Sequence, residues 1–365
     1  MPRITAVYRV AGTARAIEAR AKAIAVEQSV EMPVAAIEDK VVLADIVGCV
    51  EGIEEIGEGS FRVRVGLAVA TTGPEPGQLI NMLFGNTSIH DDVTLEDAIL
   101  PPEVAAAFGG PNHGLAGLRA RSGAVTRAMT CSALKPQGLA PEGLATLAGR
   151  MAEGGIDFIK DDHGLADQAY SPYPRRVVAV AAAVRAVGGT TRYLPSLSGH
   201  LESMRAQVRI ACDEGLDGVL VTPMIAGLST FHALTREFPE VAFMVHPAMA
   251  GAASIAPPFL LGTLFRLLGA DATVFPNYGG RFGYSPETCR DLAQAARRPW
   301  PGVKPCVPVP AGGMTLNRVD EILDFYGNDT MLLIGGNLLA AGDRLAAETA
   351  AFTRRVASHA EGRKG

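Results

Sequence analysis

Eight short apolar runs recur along the chain after residue 127, and longer Ala- and Leu-rich segments with helical spacing separate them. Eight strand–helix units over roughly 230 residues match the count and length of an α/β (β/α)8 TIM barrel. A doubly wound sheet is the alternative, but no G-x-G-x-x-G follows the first run. The runs are RAMTCSAL (127–134), IDFIK (156–160), TRYLPSL (191–197), DGVLVT (217–222), VAFMVH (241–246), ATVF (272–275), CVPV (306–309) and MLLIG (331–335).

The first 115 residues have a different pattern. Strand-like segments at 7–12 and 41–70 flank a helical segment that begins near Ala14 and ends near Glu27, which is typical of an antiparallel α+β domain. The segment 101–123 has proline and glycine at its ends and is expected to be a linker. We therefore predict an N-terminal α+β domain over residues 1–115 and a C-terminal TIM barrel over residues 116–365.

Composition excludes several classes of function. The net charge is −5 and there is no basic tract, so nucleic acid is not an expected partner. No apolar run approaches the roughly 18 residues that cross a membrane, and the N-terminus lacks a secretory signal. The five cysteines are scattered without CxxC spacing, which favours a reducing cytoplasm and argues against a zinc ribbon.

Charged residues follow several of the predicted strands directly. Lys135 comes after the first run, Lys160, Asp162 and His163 after the second, and His246 after the fifth. In a TIM barrel the functional residues lie at these carboxyl ends, so the five side chains are expected to share one site. Each position taken alone is equally compatible with an ordinary polar loop, and His246 with a buried structural histidine.

Two glycine pairs follow the last two strands. Gly312 and Gly313 precede a predicted helix start, and Gly335 and Gly336 precede Asn337. The last two loops of TIM barrels often bind phosphate through bare backbone N–H groups, and glycine lets an anion approach them closely. The sequence therefore predicts a phosphate site here, with ordinary tight turns as the alternative.

Six short motifs, in order along the chain, resemble those of the RuBisCO superfamily. The segment GGIDFIKDDH (154–163) is similar to that family's GGxDFxKxDE signature. The order and spacing hold over most of the chain, so the resemblance supports an N-terminal domain followed by a barrel. The other motifs are GN (85–86), GPNHG (110–114), KPQG (135–138), AGG (311–313) and GG (335–336).

Other positions depart from the carboxylating members of that family. The carboxylases carry a lysine in a mobile loop after the sixth strand, whereas FPNYGGRFGYSPE (275–287) contains none. Gln137, Pro247 and Ala311 replace a lysine, an arginine and a serine of the family pattern. The resemblance thus implies the non-carboxylating, RuBisCO-like branch, to which HPAMAG (246–251) is also similar.

The resemblance also implies a metal centre. Lys160 matches the lysine that CO2 converts to a carbamate, an oxygen ligand for Mg²⁺, and Asp162 matches the next ligand. His163 stands where the family has glutamate, and an imidazole suits Mn²⁺ or Zn²⁺ better than Mg²⁺. Mg²⁺ is the first choice, with another divalent metal as the alternative.

The reaction implied is proton abstraction beside the carbonyl of a ketose phosphate, a small-molecule substrate. The carbamate on Lys160 or the amine of Lys135 would be the base, and His246 would move the second proton. Arg281 would assist the glycine pairs at the phosphate. The resemblance favours isomerisation of 5-methylthio-D-ribulose 1-phosphate in sulfur (methionine) salvage. Four apolar residues could hold its methylthio group, although such residues more often serve packing: Met224, Phe275, Tyr278 and Phe282.

Three other functions stay open at this point. They are an enolase acting on a diketo methylthio sugar phosphate, a decarboxylase of an oxo sugar-acid phosphate, and a scaffold without activity. Asn86 has no lysine nearby, which argues against the enolase. In the family the N-terminal domain of one subunit completes the site of its neighbour, so Glu27 and Asn86 are expected to reach across a homodimer.

Overall fold

The computed structural model of the protein describes residues 1–362. Within these residues, twelve strands form one antiparallel and two parallel sheets of four strands each. The strands are β1 (Arg3–Ala11), β2 (Cys49–Gly57), β3 (Ser60–Ala68), β4 (Val93–Ile99), β5 (Met129–Leu134), β6 (Phe158–Asp161), β7 (Arg192–Leu194), β8 (Gly218–Val221), β9 (Ala242–Val245), β10 (Ala272–Pro276), β11 (Val307–Ala311) and β12 (Met331–Leu333).

Helices connect the strands, and one or more of them follows each parallel strand. The α-helices are α1 (Ile17–Glu27), α2 (Val69–Thr72), α3 (Pro76–Phe84), α4 (Pro102–Phe108), α5 (Gly114–Ser122), α6 (Pro141–Glu153), α7 (Tyr173–Val187), α8 (Leu201–Asp213), α9 (Pro223–Ala226), α10 (Leu228–Glu237), α11 (Phe265–Leu267), α12 (Pro286–Arg297), α13 (Val319–Tyr326), α14 (Gly336–Leu339) and α15 (Leu345–Gly362). Short 3-10 turns lie at Val34–Ala36, Asn86–Ile89, Ala250–Ala252, Leu316–Arg318 and Gly342–Arg344, and π-helical turns at Val42–Ile46 and Pro258–Leu264.

The N-terminal sheet has the strand order β2-β3-β1-β4 and is antiparallel. Apolar and polar residues alternate along β1, and Ile4, Ala6, Tyr8 and Val10 are buried. The hydroxyl of Tyr8 donates to the carbonyl of Leu83, which ties the sheet to helix α3. The predicted α+β pattern of this region is confirmed.

The two parallel sheets have the strand orders β12-β5-β6-β7 and β11-β10-β9-β8. Their outer strands are neighbours, because the N–H of Leu197 beyond β7 donates to Leu220 of β8 and Thr330 before β12 donates to Pro308 of β11. One apolar cluster takes side chains from all eight strands, including Cys131, Phe158 and Val309. Each predicted apolar run overlaps one of these strands, so the mixed α/β architecture is confirmed.

The predicted linker at 101–123 is wrong in part, because it contains helices α4 and α5. Proline at the first position of α4 and glycine after each helix provide the expected start and stop signals. Asp271 fixes the start of α5 by accepting the N–H groups of His113 and Gly114. Among residues 1–362, no helix is long and apolar enough to cross a membrane.

Candidate active site

A cavity of about 840 Å³ opens at the carboxyl ends of six parallel strands, β5, β6, β9, β10, β11 and β12. The loop after each of these strands contributes to its wall. Most of the residues predicted from the sequence therefore meet, although they are spread over two hundred positions. Those that line the cavity are Lys135, Lys160, Asp162, His163, His246, Arg281, Gly312, Gly313, Gly335 and Gly336.

Lys160 lies in β6, between Ala133 of β5 and Leu194 of β7. Its side chain is only 3% exposed, and Nζ donates to the carbonyl of Asp161 at 2.9 Å. Burial of the amine, reinforced by the charge of Lys135, lowers the pKa of Lys160. The uncharged amine is the form that reacts with CO2. A larger fraction of Lys160 is therefore in this form than of a lysine on the surface.

Asp162 faces two donors across the floor of the cavity. Lys135 Nζ lies 2.7 Å from Asp162 Oδ1, and His163 Nδ1 lies 3.4 Å from the same oxygen. Burial by itself raises the pKa of Asp162, but the hydrogen bonds from His163 and Lys135 and the lysine charges lower it well below its usual value. This carboxylate is therefore ionised throughout the neutral range.

His246 stacks on His163, with ring centroids 3.9 Å apart and an angle of 8° between the planes. Its Nδ1 accepts the N–H of Ala248 at 3.2 Å, so the neutral ring carries its proton on Nε2. Burial and the charges of Lys160 and His163 lower the pKa of His246 to about 2. At neutral pH His246 is thus an uncharged hydrogen-bond donor.

A buried network behind β6 holds the strand end in place, and sequence reasoning missed it. Arg176 and Asp161 are fully buried, and Arg176 Nε donates to Asp161 Oδ2 at 3.0 Å. Asp161 also accepts from the hydroxyl of Tyr193 at 2.8 Å and from the N–H of Ser196 at 3.0 Å. No local signal identifies this pair, since an arginine in an Ala-rich helix resembles a surface residue.

The two glycine loops are glycine-rich for different reasons. Gly312 and Gly313 have φ of 84° and 69°, and a Cβ on Gly313 would lie 2.9 Å from Gly280. A Cβ on Gly335 or Gly336 would meet nothing within 4 Å. Packing therefore requires a bare backbone at Gly313, whereas at the second pair there is open space where a side chain would lie.

The predicted residues Glu27 and Asn86 are not among those that line the cavity. They form a separate cluster at the end of α1, in which Asn86 Nδ2 donates to Glu27 Oε1 at 2.8 Å and to Glu31 Oε1 at 3.0 Å. Asn86 and Glu31 are exposed. Within one chain, this cluster and the cavity are separate.

Two of the four apolar residues considered for a methylthio group, Phe275 and Phe282, line the cavity. Met224 instead lines a second cavity of about 410 Å³, and the hydroxyl of Tyr278 donates to Glu321 at 3.0 Å. The expectation for these two is therefore wrong, because neither Met224, which lies in helix α9, nor Tyr278 lines the first cavity. Met249, which the sequence did not single out, lines it.

The donors for a metal ion are incomplete without modification of Lys160. Within residues 1–362, no three His, Cys, Asp or Glu side chains are grouped to hold a metal. Asp162 provides one carboxylate, His163 directs Nδ1 at that carboxylate, and the amine of Lys160 is not an oxygen ligand. A carbamate on Lys160 would add a second anionic oxygen group, so the residues fit a hard divalent cation in that form.

Comparison with known proteins identifies the family. Residues 114–277 match the family described as ribulose bisphosphate carboxylase large chain, catalytic domain. The chain is 62% identical to a 5-methylthioribulose-1-phosphate isomerase of Rhodospirillum rubrum, over 98% of this chain and 97% of that protein. It is 58% identical to ribulose bisphosphate carboxylase-like protein 1 of Rhodopseudomonas palustris, over 98% and 99% respectively.

A solved structure agrees with these relatives. The crystal structure of a Rubisco-like protein from Rhodopseudomonas palustris has a TM-score of 0.92 with this chain at 54% identity, covering 98% of both chains. The predicted resemblance is therefore confirmed over nearly the whole length. The chain belongs to the RuBisCO large-chain family, in its non-carboxylating, RuBisCO-like branch.

Proposed function

We propose that the protein isomerises 5-methylthio-D-ribulose 1-phosphate in methionine salvage. The observation that carries the proposal is the cavity itself, where a desolvated lysine, an ionised aspartate and an uncharged histidine face two open glycine loops. A relative that is 62% identical over 98% of the chain and is named for this isomerase supports the choice of substrate.

We also propose that β5–β12 close into one (β/α)8 barrel. The apolar cluster with side chains from all eight strands and the bonds that join β7 to β8 and β12 to β11 support closure. The proposed domains are residues 1–115 and 116–365, a division that falls within α5. All five cysteines are free, which is consistent with a cytoplasmic location.

The reaction begins with loss of the proton on C3 of the ketose, next to the C2 carbonyl. The electron pair of the C–H bond forms the C2–C3 double bond, and the carbonyl oxygen becomes an enediolate. The proton of the C3 hydroxyl then passes to the oxygen on C2, the C3 carbonyl re-forms as the electron pair of the double bond takes up a proton at C2, and no atom is gained or lost. The base is the modified Lys160 or the amine of Lys135, and both line the cavity.

The amine of Lys135 is engaged with Asp162 at 2.7 Å in the unmodified site, which favours Lys160 as the first base. His246 has a different role from the proton carrier expected earlier. Its Nε2–H donates to the developing oxygen and stabilises the enediolate without ionising. The phosphate lies against Gly335 and Gly336, where a Cβ would meet nothing within 4 Å and an anion can approach the backbone closely.

We propose Mg²⁺ as cofactor, held by carbamylated Lys160 and by Asp162. A bound cation polarises the ketone and stabilises negative charge on the enediolate. His163 is the candidate third ligand, and in the unmodified site its Nδ1 faces the carboxylate of Asp162. Other divalent metals remain open, since imidazole accepts them more readily than it accepts Mg²⁺.

We propose that the active unit is a homodimer. Glu27 and Asn86 form an exposed polar cluster apart from the cavity of their own chain. In a two-fold dimer this cluster would complete the neighbour's cavity, as the family resemblance implies.

The test is NMR of the purified protein with 5-methylthio-D-ribulose 1-phosphate in D2O, with Mg²⁺ and bicarbonate. We expect a new ketose phosphate carrying deuterium. Its rate of formation should fall ~10³-fold in Lys160→Ala, within the range for removal of a catalytic acid or base. Lys40→Ala is the matched control, because Lys40 is exposed and lies in the N-terminal region.

The other outcomes separate the alternatives. Deuterium exchange without a new ketose would reject isomerisation while keeping an enolising site. Release of CO2 from an oxo sugar-acid phosphate would indicate the decarboxylase, and turnover of a diketo methylthio sugar phosphate the enolase. A protein that turns over none of these three sugar phosphates would support the alternative of a scaffold without activity.

A further inference from the structure

We propose that Pro247, Met249 and Phe282 form the subsite that recognises the methylthio end of the substrate. The inference rests on the proposed function and names the residues that select this ketose phosphate from others. All three line the cavity, on the loops that follow β9 and β10.

Polar and apolar residues line different parts of the cavity wall. Lys160 lies in β6, Lys135 and Asp162 lie on the loops after β5 and β6, and the bare glycine pairs lie after β11 and β12. The loop after β9 contributes Pro247 to Gly251, none of them charged, and the loop after β10 contributes apolar rings beside the single charge of Arg281. A ligand with a phosphate at one end and an uncharged, apolar other end matches this division.

Met249 has an unusual backbone conformation for its residue type. The N–H of Ala250 donates to the carbonyl of Pro247 at 2.9 Å, which closes a tight turn, and Met249 occupies its third position with φ 66° and ψ 4°. Glycine adopts this conformation without strain, whereas a side chain makes it costly. The turn nevertheless holds a methionine whose side chain is 58% exposed at the cavity.

Phe282 provides the aromatic face of the subsite. Its ring is 50% exposed, and a Cβ built on Gly312 would lie 3.8 Å from its edge, so the ring borders a glycine loop. The guanidinium carbon of Arg281 lies 5.0 Å from the centre of the ring.

The chemistry of a thioether fits these surfaces. A methylthio group gains by leaving water and makes favourable contacts with aromatic rings and with another thioether. A hydroxyl in the same place would lose its bonds to water, and Pro247, Met249 and Phe282 carry no side-chain donor or acceptor for it beyond the weak thioether. The subsite therefore discriminates against the 5-hydroxy analogue, ribulose 1-phosphate.

The experiment compares 5-methylthio-D-ribulose 1-phosphate with D-ribulose 1-phosphate, both by calorimetric binding and by kcat/KM. We expect the wild type to prefer the methylthio compound by ~10–100-fold, the range for one small apolar group in a pocket. Met249→Leu keeps the apolar volume and should keep most of the preference. Met249→Gln has similar length but is polar, and should bring the preference close to one.

Two further variants separate the loss of the Met249 side chain from a general effect on the protein. Met249→Gly removes the side chain and relieves the turn, so it should lose the preference while its Tm is unchanged or higher. Ile225→Gln is the control, because Ile225 is 65% exposed and does not line the cavity, and it should keep the preference. A Met249→Gln protein that keeps the full preference, with or without a change in oligomeric state, would overturn the subsite.

Failure of the subsite and failure of the isomerase are distinguishable. Turnover of both sugars with equal kcat/KM and equal affinity would reject the subsite and leave the isomerase. Preferential binding of the methylthio compound without turnover would reject the isomerase and retain the subsite. A wild type that binds neither sugar would overturn the subsite as well.

Discussion

Two polar clusters of this protein differ in how completely one chain surrounds them. The cluster at the end of β6 is buried, and a second layer formed by Asp161 and Arg176 supports it from behind. The cluster of Glu27, Glu31 and Asn86 is open to solvent, and its hydrogen bonds join only its own members. Burial shifts pKa values in the first cluster and lowers the pKa of Lys160.

Only the first cluster has, within a single chain, the properties of a functional site. A desolvated lysine beside an ionised aspartate has perturbed chemistry already, which is typical of functional sites. An exposed carboxylate–amide cluster has the chemistry of any polar surface until something covers it. The proposed role of Glu27 and Asn86 therefore depends on a neighbouring subunit, and that dependence can be measured.

The largest expected effect comes from mixing two inactive variants. Lys160→Ala disables the cavity, and Asn86→Ala disables the N-terminal cluster, so each homodimer should lose ~10²–10⁴-fold in kcat/KM. When the two variants are unfolded and refolded together, a heterodimer contains one site with both residues intact. Activity should return to about a quarter of the wild-type level, because half of the dimers have one working site out of two.

The matched control mixes Lys160→Ala with Asp162→Asn. Both changes lie in the same cavity, so no combination of these chains restores a site, and the mixture should stay inactive. If Lys160→Ala and Asn86→Ala together also remain inactive although heterodimers form, the N-terminal cluster does not serve the neighbouring cavity.

Sequence patterns predicted the fold because burial leaves a local signature. Strand β1 alternates buried and polar residues, and β5 is buried at every position, as in sheets covered on both faces. The linker at 101–123 was harder, because glycine and proline mark the ends of helices α4 and α5 as well as loops.

The site was predictable only where residues follow strands directly. Lys135, Lys160 and His246 meet because parallel strands end at the same edge. The Asp161–Arg176 pair joins a strand to the next helix, and nothing in its spacing distinguishes a buried ion pair from two surface charges. The position of Met249 could not be predicted for a similar reason, because the amino-acid sequence does not reveal a positive φ.

An intermediate effect is expected for the network behind β6, measured as the free energy of unfolding in denaturant. Arg176→Met leaves the carboxylate of Asp161 buried without its cation, which should cost about 3–5 kcal/mol. Arg175→Ala is the adjacent control, because its pair with Glu142 is about two-thirds exposed and should cost about 0–1 kcal/mol. Equal losses in the two variants would contradict the claim that the first cluster depends on buried support.

The smallest expected effect concerns His163, whose ring stacks on His246 and directs Nδ1 at Asp162. His163→Glu replaces the imidazole by a carboxylate, so Mg²⁺ should bind ~10-fold more tightly in the presence of CO2, and the preference for Mn²⁺ over Mg²⁺ should fall. His163→Gln is the control, because an amide can still donate to Asp162 without adding a charge. Metal affinities from calorimetry decide the matter without an activity assay. If the glutamate and glutamine variants bind Mg²⁺ equally, position 163 acts by orienting Asp162 and does not ligate the metal.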